Sequence, residues 1–178
     1  MAAEFHLRPA TLDDAVTLSE IGRVTFIQNF GHLYTEKNLN DFLDGTYMPR
    51  LQADEIAYPE NHIMLACVGE KVVGYAKSGP NKLPIENPPQ PAYELHRIYL
   101  LPEAQGLGAG AALLKDALDY FARKQAASVY IGVWAENHNA QAFYRKYGFE
   151  PVGQYHFMVG TQADEELILQ MQLWSPAK

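Results

Sequence analysis

Three glycines in five positions, Gly106, Gly108 and Gly110, stand between a β-prone run, Tyr93 to Leu101, and an amphipathic run from about Gly108 to Gln125. No other feature narrows the fold as far. Glycine lets a turn take up left-handed backbone and lets main chain approach a ligand closely. The run that follows sets Leu114, Ala117, Leu118 and Phe121 at i, i+3, i+4 and i+7, one face of a helix. Strand, glycine turn and helix in succession belong to an α/β domain, and the N–H groups that open such a helix favour an anion. Phosphate or pyrophosphate is the natural ligand. A tight turn with no ligand would use the same residues.

The remaining elements fit around this unit. Phe5 to Arg8 reads as a short strand. Thr11 with Asp14 resembles a helix N-cap, ahead of Leu12, Ala15, Leu18 and Ile21 at helical spacing to about Asn29. Thr35 caps a second helix through Leu43. His62 to Val68 and Val72 to Ser78 read as strands joined by a hairpin at Gly69-Glu70. Residues 80–91 hold five of the eleven prolines, so they form a loop rather than a central strand. Ser128 to Val133 is β-rich, Asn139 to Tyr147 is a short helix ended by Gly148, and strands at Pro151 to Val159 and Glu166 to Trp174 follow. The expectation is one domain, residues 1–178, of mixed α/β (α+β) class around a single sheet.

Composition bounds the partners. Asp and Glu number 21 against 14 Lys and Arg, for a net charge of −7, which disfavours general nucleic-acid binding. Residues 1–60 carry ten acids and four bases, residues 61–128 six and seven, residues 129–178 five and three. The middle third, with the glycine loop, is thus slightly basic, while the first third is acidic. Those acids are either a solvated helical surface or a charge-selective entrance. The single cysteine, Cys67, excludes an internal disulfide and reads as small core. The six histidines are scattered without metal-ligand spacing, so no metal site is expected. No apolar run is long enough to span a bilayer and the first residues do not resemble a signal peptide, so the expectation is a cytoplasmic protein without membrane partners. No feature fixes the oligomeric state, which leaves a homodimer open.

Gly106-x-Gly108-x-x-Ala111 also fits a dinucleotide fingerprint. Leu101 to Ala104 intervene between strand and glycines, however, and the unit begins past the middle of the chain, which leaves too little room for two mononucleotide halves. A second cluster decides the matter. Arg97-Ile98-Tyr99-Leu100, the glycine loop and the segment Asn139 to Phe149 together resemble the GNAT superfamily of acyl-CoA N-acyltransferases. The pyrophosphate loop of that superfamily, Q/R-x-x-G-x-G/A, is matched at Gln105, Gly108 and Gly110. The later motif, N-x-x-A-x-x-F-Y-x-x-x-G-F, is read at Asn139, Ala142, Phe143, Tyr144, Gly148 and Phe149. Within the superfamily the chain looks most like bacterial polyamine N-acetyltransferases. The resemblance implies a mixed, mostly antiparallel sheet of about seven strands flanked by about four helices.

It also implies a chemistry. Acetyl-CoA would be the acetyl donor, with its pyrophosphate on the backbone of Gln105, Gly106, Leu107, Gly108, Ala109, Gly110 and Ala111. The pantetheine arm would lie along Ile98, Tyr99 and Leu100, and an N–H near Ile98 would polarise the acetyl carbonyl. Tyr144 would donate to the departing sulfur, and Asn139 would bind the pantetheine amide or cap its helix. The amine needs a base, for which Glu94 is the first choice and His96 the second. Two apart in a strand, they share a face. The acceptor, a small-molecule amine with a polyamine favoured, would meet Tyr34, Glu36, Asp41 and Asp44 on one wall and Tyr155 and His156 on the other. A protein or peptide amine or an aminoglycoside antibiotic is the alternative acceptor, and an acyl-CoA-binding regulator without catalysis is the rival reading. It would not require Tyr144.

Overall fold

The computed structural model describes residues 4–171. Seven strands form one sheet: β1 (Phe5–Pro9), β2 (His62–Val68), β3 (Lys71–Pro80), β4 (Ala92–Leu100), β5 (Ser128–Trp134), β6 (Glu150–Val159) and β7 (Gln162–Met171), in the spatial order β1-β2-β3-β4-β5-β7-β6. Every neighbouring pair is antiparallel except β4 and β5. The helices are α1 (Ala15–Phe30), α2 (Glu36–Thr46), α3 (Pro49–Ala57), α4 (Ala109–Arg123) and α5 (His138–Arg145). This is the expected mixed α/β architecture with its mostly antiparallel sheet. The proposed extension of the last strand to Trp174 lies outside the described residues.

Local chemistry explains most boundaries. The Thr35 hydroxyl accepts the Asn38 N–H at the start of α2. Thr11 and Asp14 form a capping box, but around a 3-10 turn at Leu12–Asp14 that precedes α1. That turn rotates Leu12 off the helical stripe, leaving it 60% exposed while Ala15, Leu18 and Ile21 are buried. Gly69 supplies the left-handed residue of the β2–β3 hairpin. Helix α3 was not expected from the sequence. Its nine residues begin with a proline at the first turn and carry few apolar positions at helical spacing.

The main core lies between the sheet and α4. Leu114, Ala117 and Phe121 are buried there as the periodicity predicts, joined by Leu113 and Tyr120, while Leu118 is only partly buried. They pack on Leu95, Val129, Phe149 and Leu169. Cys67 is buried in a smaller cluster under α1, with Leu18 and Leu65. A third cluster joins Phe26, Leu43, Tyr47 and Val159, which seats α1 and α2 on the β6–β7 hairpin.

Two irregularities of β4 open the sheet. Arg97 lies opposite Lys77 and Leu95 opposite Ser78, so His96 is the extra residue of a β-bulge. Strand β4 also pairs with β5 only at Ala92–Glu94 against Ser128–Tyr130. Beyond that the two parallel strands part, and a wedge forms in the middle of the sheet.

Candidate active site

A cavity of about 250 Å³ fills the wedge. One side is β4, from Glu94 to Tyr99; the other is β5, from Ile131 to Trp134, continued by Asn137, Ala140 and Tyr144 at α5. Phe26, Asn29, Phe30 and Tyr34 close it from α1 and the turn before α2, and Tyr155, Phe157, Asp164 and Glu166 close it from the hairpin. Of the residues singled out in the sequence, Glu94, His96, Ile98, Tyr99, Tyr144, Tyr34 and Tyr155 meet here.

Glu94 is buried and held on both oxygens. Oε2 accepts the Lys82 N–H at 2.8 Å, and Oε1 lies 3.2 Å from His96 Nδ1. The two side chains share a region, as the strand alternation predicts, although the bulge at His96 changes their relative aim. Tyr144 is 4% exposed, and burial followed by the nearby Tyr99 phenol pushes its pKa well above the usual tyrosine range. It is a neutral O–H donor at neutral pH.

The acceptor-side acids differ from those expected. Glu36 is exposed in the first turn of α2, Asp41 pairs with Lys37, and Asp44 pairs with Arg23. None of the three lines the cavity. His156 is exposed as well, because alternation along β6 sends it away from the face shared by Tyr155 and Phe157. The acids that do line the cavity with Glu94 are Asp164 and Glu166, two apart on one face of β7. Tyr34 donates to Asp164, and Tyr155 donates to Glu166 at 2.5 Å. Burial raises the Glu166 pKa, the Tyr155 hydrogen bond opposes it, and Asp164 and Glu94 add to it. A signal for Asp164 existed in the period-two spacing with Glu166, but a strand begun at Glu166 leaves Asp164 outside. Gly132 leaves room for this pair: a Cβ there would lie 2.6 Å from the Tyr155 hydroxyl and 2.9 Å from Glu166 Oε2, so both side chains would have to shift.

Asn139 requires a correction. It is exposed, and the residue that caps α5 is Asn137, whose side chain accepts the Ala140 N–H at 3.1 Å. Counting back from Tyr144 puts the asparagine and alanine of the motif at Asn137 and Ala140. Both of these line the cavity.

The glycine loop lies beside the wedge, next to the end of β4. A Cβ on Gly110 would stand 3.3 Å from Leu100 Cδ1. Gly106 and Gly108 have φ of +78° and +84°, and a Cβ on either would meet nothing within 4 Å. The loop backbone is therefore uncovered. Gly108 opens α4 without a side-chain cap, so the first N–H groups of the helix are free to receive an anion. Such a cradle fits the pyrophosphate of CoA.

Comparison with known proteins agrees. Residues 28–149 match the model of the acetyltransferase (GNAT) family. An uncharacterised N-acetyltransferase of the pepI 3′ region of Lactobacillus delbrueckii subsp. lactis is 28% identical over 153 residues, 86% of this chain and 88% of that one. The N-alpha-acetyltransferase RimI of Mycobacterium tuberculosis is 38% identical over 123 residues, 67% of this chain and 73% of the relative. Among solved structures, the PaiA N-acetyltransferase of Thermoplasma acidophilum, in complex with coenzyme A, superposes with a TM-score of 0.76 at 21% identity. That match covers 95% of this chain and 99% of that one.

Proposed function

The chain belongs to the acetyltransferase (GNAT) family and is an acetyl-CoA-dependent N-acetyltransferase, and from that premise we propose that its acceptor is a small polycationic amine, a polyamine first. The observation that carries this reading is the composition of the cleft. Glu94, Asp164 and Glu166 face it together with the rings of Phe30, Tyr34, Trp134 and Phe157. Carboxylates attract an ammonium, and aromatic faces hold one that has lost part of its hydration. On one face of a strand, residues two apart are separated by about 6.6 Å, close to the distance between ammonium groups joined by a short methylene chain.

In the proposed reaction acetyl-CoA supplies an activated acyl group. The backbone of Gln105 to Ala111 holds the pyrophosphate. Ile98 to Leu100, unpaired on the β5 side, offers main-chain groups to the pantetheine arm, and an N–H near Ile98 polarises the acetyl carbonyl. Glu94 takes the proton of the attacking amine, directly or through water. Buried and neutral, Tyr144 donates its proton to the leaving thiolate. Asn137 acts by fixing the first turn of α5 and so the direction of Tyr144.

A peptide N-terminus is a second acceptor class, favoured by the 38% identity to RimI. Free-thiol release from acetyl-CoA with spermidine, spermine, an alanine-terminated peptide, a lysine peptide and an aminoglycoside separates the two. The proposal expects the largest kcat/KM with a polyamine. A higher value with the peptide transfers the assignment to protein N-termini, and no turnover with any amine, alongside tight CoA binding, overturns catalysis.

A further inference from the structure

A second cavity, of about 530 Å³, lies on the helical side of β3 and β4, between them and α3. Lys77, Lys82 and Arg97 contribute to its lining, as do Asp54, Tyr58 and Asn61. Three cations, Lys77, Lys82 and Arg97, stand against two carboxylates, Asp54 and Glu55, and Asp54 is exposed. Among the described residues Glu55 alone pairs with both Lys77, at 2.6 Å, and Arg97, at 2.8 Å. The Lys77 side chain is 4% exposed and that of Arg97 14%. Two cations share one anion away from bulk water. Burial first, and then the Arg97 charge, push the Lys77 ammonium down to about 8, with Glu55 opposing.

Lys82 adds a third cation at the mouth of the cavity. Its side chain is exposed and makes no ion pair among the described residues, and its backbone N–H is fixed on Glu94. A buried positive surplus beside a roomy cavity favours a bound anion, because a cation desolvated without a full counter-charge is costly. Small oxyanions suit it: a guanidinium and two ammonium groups offer several donors, and Asn61 and Tyr58 can add neutral ones.

We propose that the cavity between α3 and the β3–β4 pair is a binding site for a small oxyanion, carboxylate or phosphate, held by Lys77 and Lys82 against the Glu55–Arg97 pair. The site is separate from the glycine loop, none of whose residues lines it. Arg97 lines both cavities, so an occupant stands directly behind the acceptor cleft. The proposal does not depend on the identity of the acceptor. The groups facing Lys77 are Glu55 and Asp54 of α3, Arg97 of β4 and Lys82 of the following loop. Burial acts to raise the Glu55 pKa, but the Arg97 and Lys77 charges outweigh it and hold that carboxylate below its usual range. The affinity for a dicarboxylate, whose own charge is constant from neutral to alkaline pH, therefore follows Lys77.

The test is calorimetric titration of the full chain with inorganic phosphate in one arm and succinate in the other, at constant ionic strength in chloride. CoA is held at saturation, so the glycine loop is filled. Expected is saturable binding in at least one arm, at least tenfold weaker in Lys82→Ala and in Lys77→Met; succinate, whose charge is constant over this range, binds more weakly at pH 9 than at pH 7. A response to phosphate alone identifies a phosphoryl ligand, and one to succinate identifies a carboxylate. Lys82 is on the surface, so loss of binding in that variant, with its melting temperature unchanged, is not a folding defect. No saturable binding in either arm, or binding that both variants retain at parental strength, overturns the proposal. CoA affinity measured in the same samples reports on the cofactor site separately.

Discussion

Individual side chains in the cleft differ chiefly in what burial has done to them. Tyr144 is kept neutral, which suits a proton donor. Tyr144→Phe is expected to lower kcat about 10²-fold while the Kd for CoA stays within about twofold, measured by thiol release and titration. Glu166 is different, because burial makes its ionised form expensive. Its folded pKa is raised, so its contribution to stability is full below the usual carboxylate value of 4.5 and is lost as pH rises through the folded value. Glu166→Gln keeps an acceptor for Tyr155 and removes that cost. It should melt a few degrees higher at pH 7, where 1 kcal/mol is worth about 2–4 °C, and its KM for a polyamine should rise about tenfold. At this scale the sequence showed Glu94, His96 and Tyr144, whose positions follow from strand alternation and a motif. It did not show Asp164, which becomes a cleft residue only through the register of β7. Nor did it separate Asn137 from Asn139: two asparagines two apart look alike until one has its side chain on the helix start.

Elements set the cleft open. The wedge exists because β4 and β5 are parallel neighbours joined by only three residue pairs, Ala92–Glu94 against Ser128–Tyr130, before they part. Composition does not reveal that divergence, although both strands were legible within a residue or two. Gly132 keeps the β5 side clear. Gly132→Ala should cut kcat/KM for the amine about tenfold by displacing Tyr155 and Glu166, with CoA affinity unchanged. At the other end, Asp14 ties the start of α1 to β1. Its carboxylate accepts two Arg8 N–H groups at 2.8 Å and the Thr11 N–H at 2.8 Å. The Arg8 hydrogen bonds, outweighing burial, lower its pKa from 3.8 to about 2. The stabilisation is present above the unfolded value and is lost as pH falls through about 2. Because solvent screens the partly exposed Arg8, Asp14→Asn should cost about 1–3 kcal/mol at pH 7 by denaturant titration, and the difference from the parent should shrink below about pH 4.

Across the whole molecule, the acidity of the chain divides differently from its distribution in sequence. The ten acids of the first third suggested an entrance for a cation, yet no acid of residues 1–60 lines the cleft. They are exposed or paired: Asp14 with Arg8, Asp44 with Arg23, Glu55 with Lys77 and Arg97, Glu60 with Lys124. Negative charge reaches the cleft from Glu94 and from the last hairpin instead. Fold class and, apart from α3, element order were legible because glycine placement and hydrophobic periodicity are local. Which acids line the cleft depends on contacts between residues more than a hundred positions apart, as in Tyr34 with Asp164. The most direct test compares kcat/KM for a short diamine with that for the monoamine of equal length, in the parent and in Asp164→Asn. A diamine preference of about tenfold or more that collapses in the variant is the expected result. Equal values for the two amines in the parent would contradict a cleft built for a polycation.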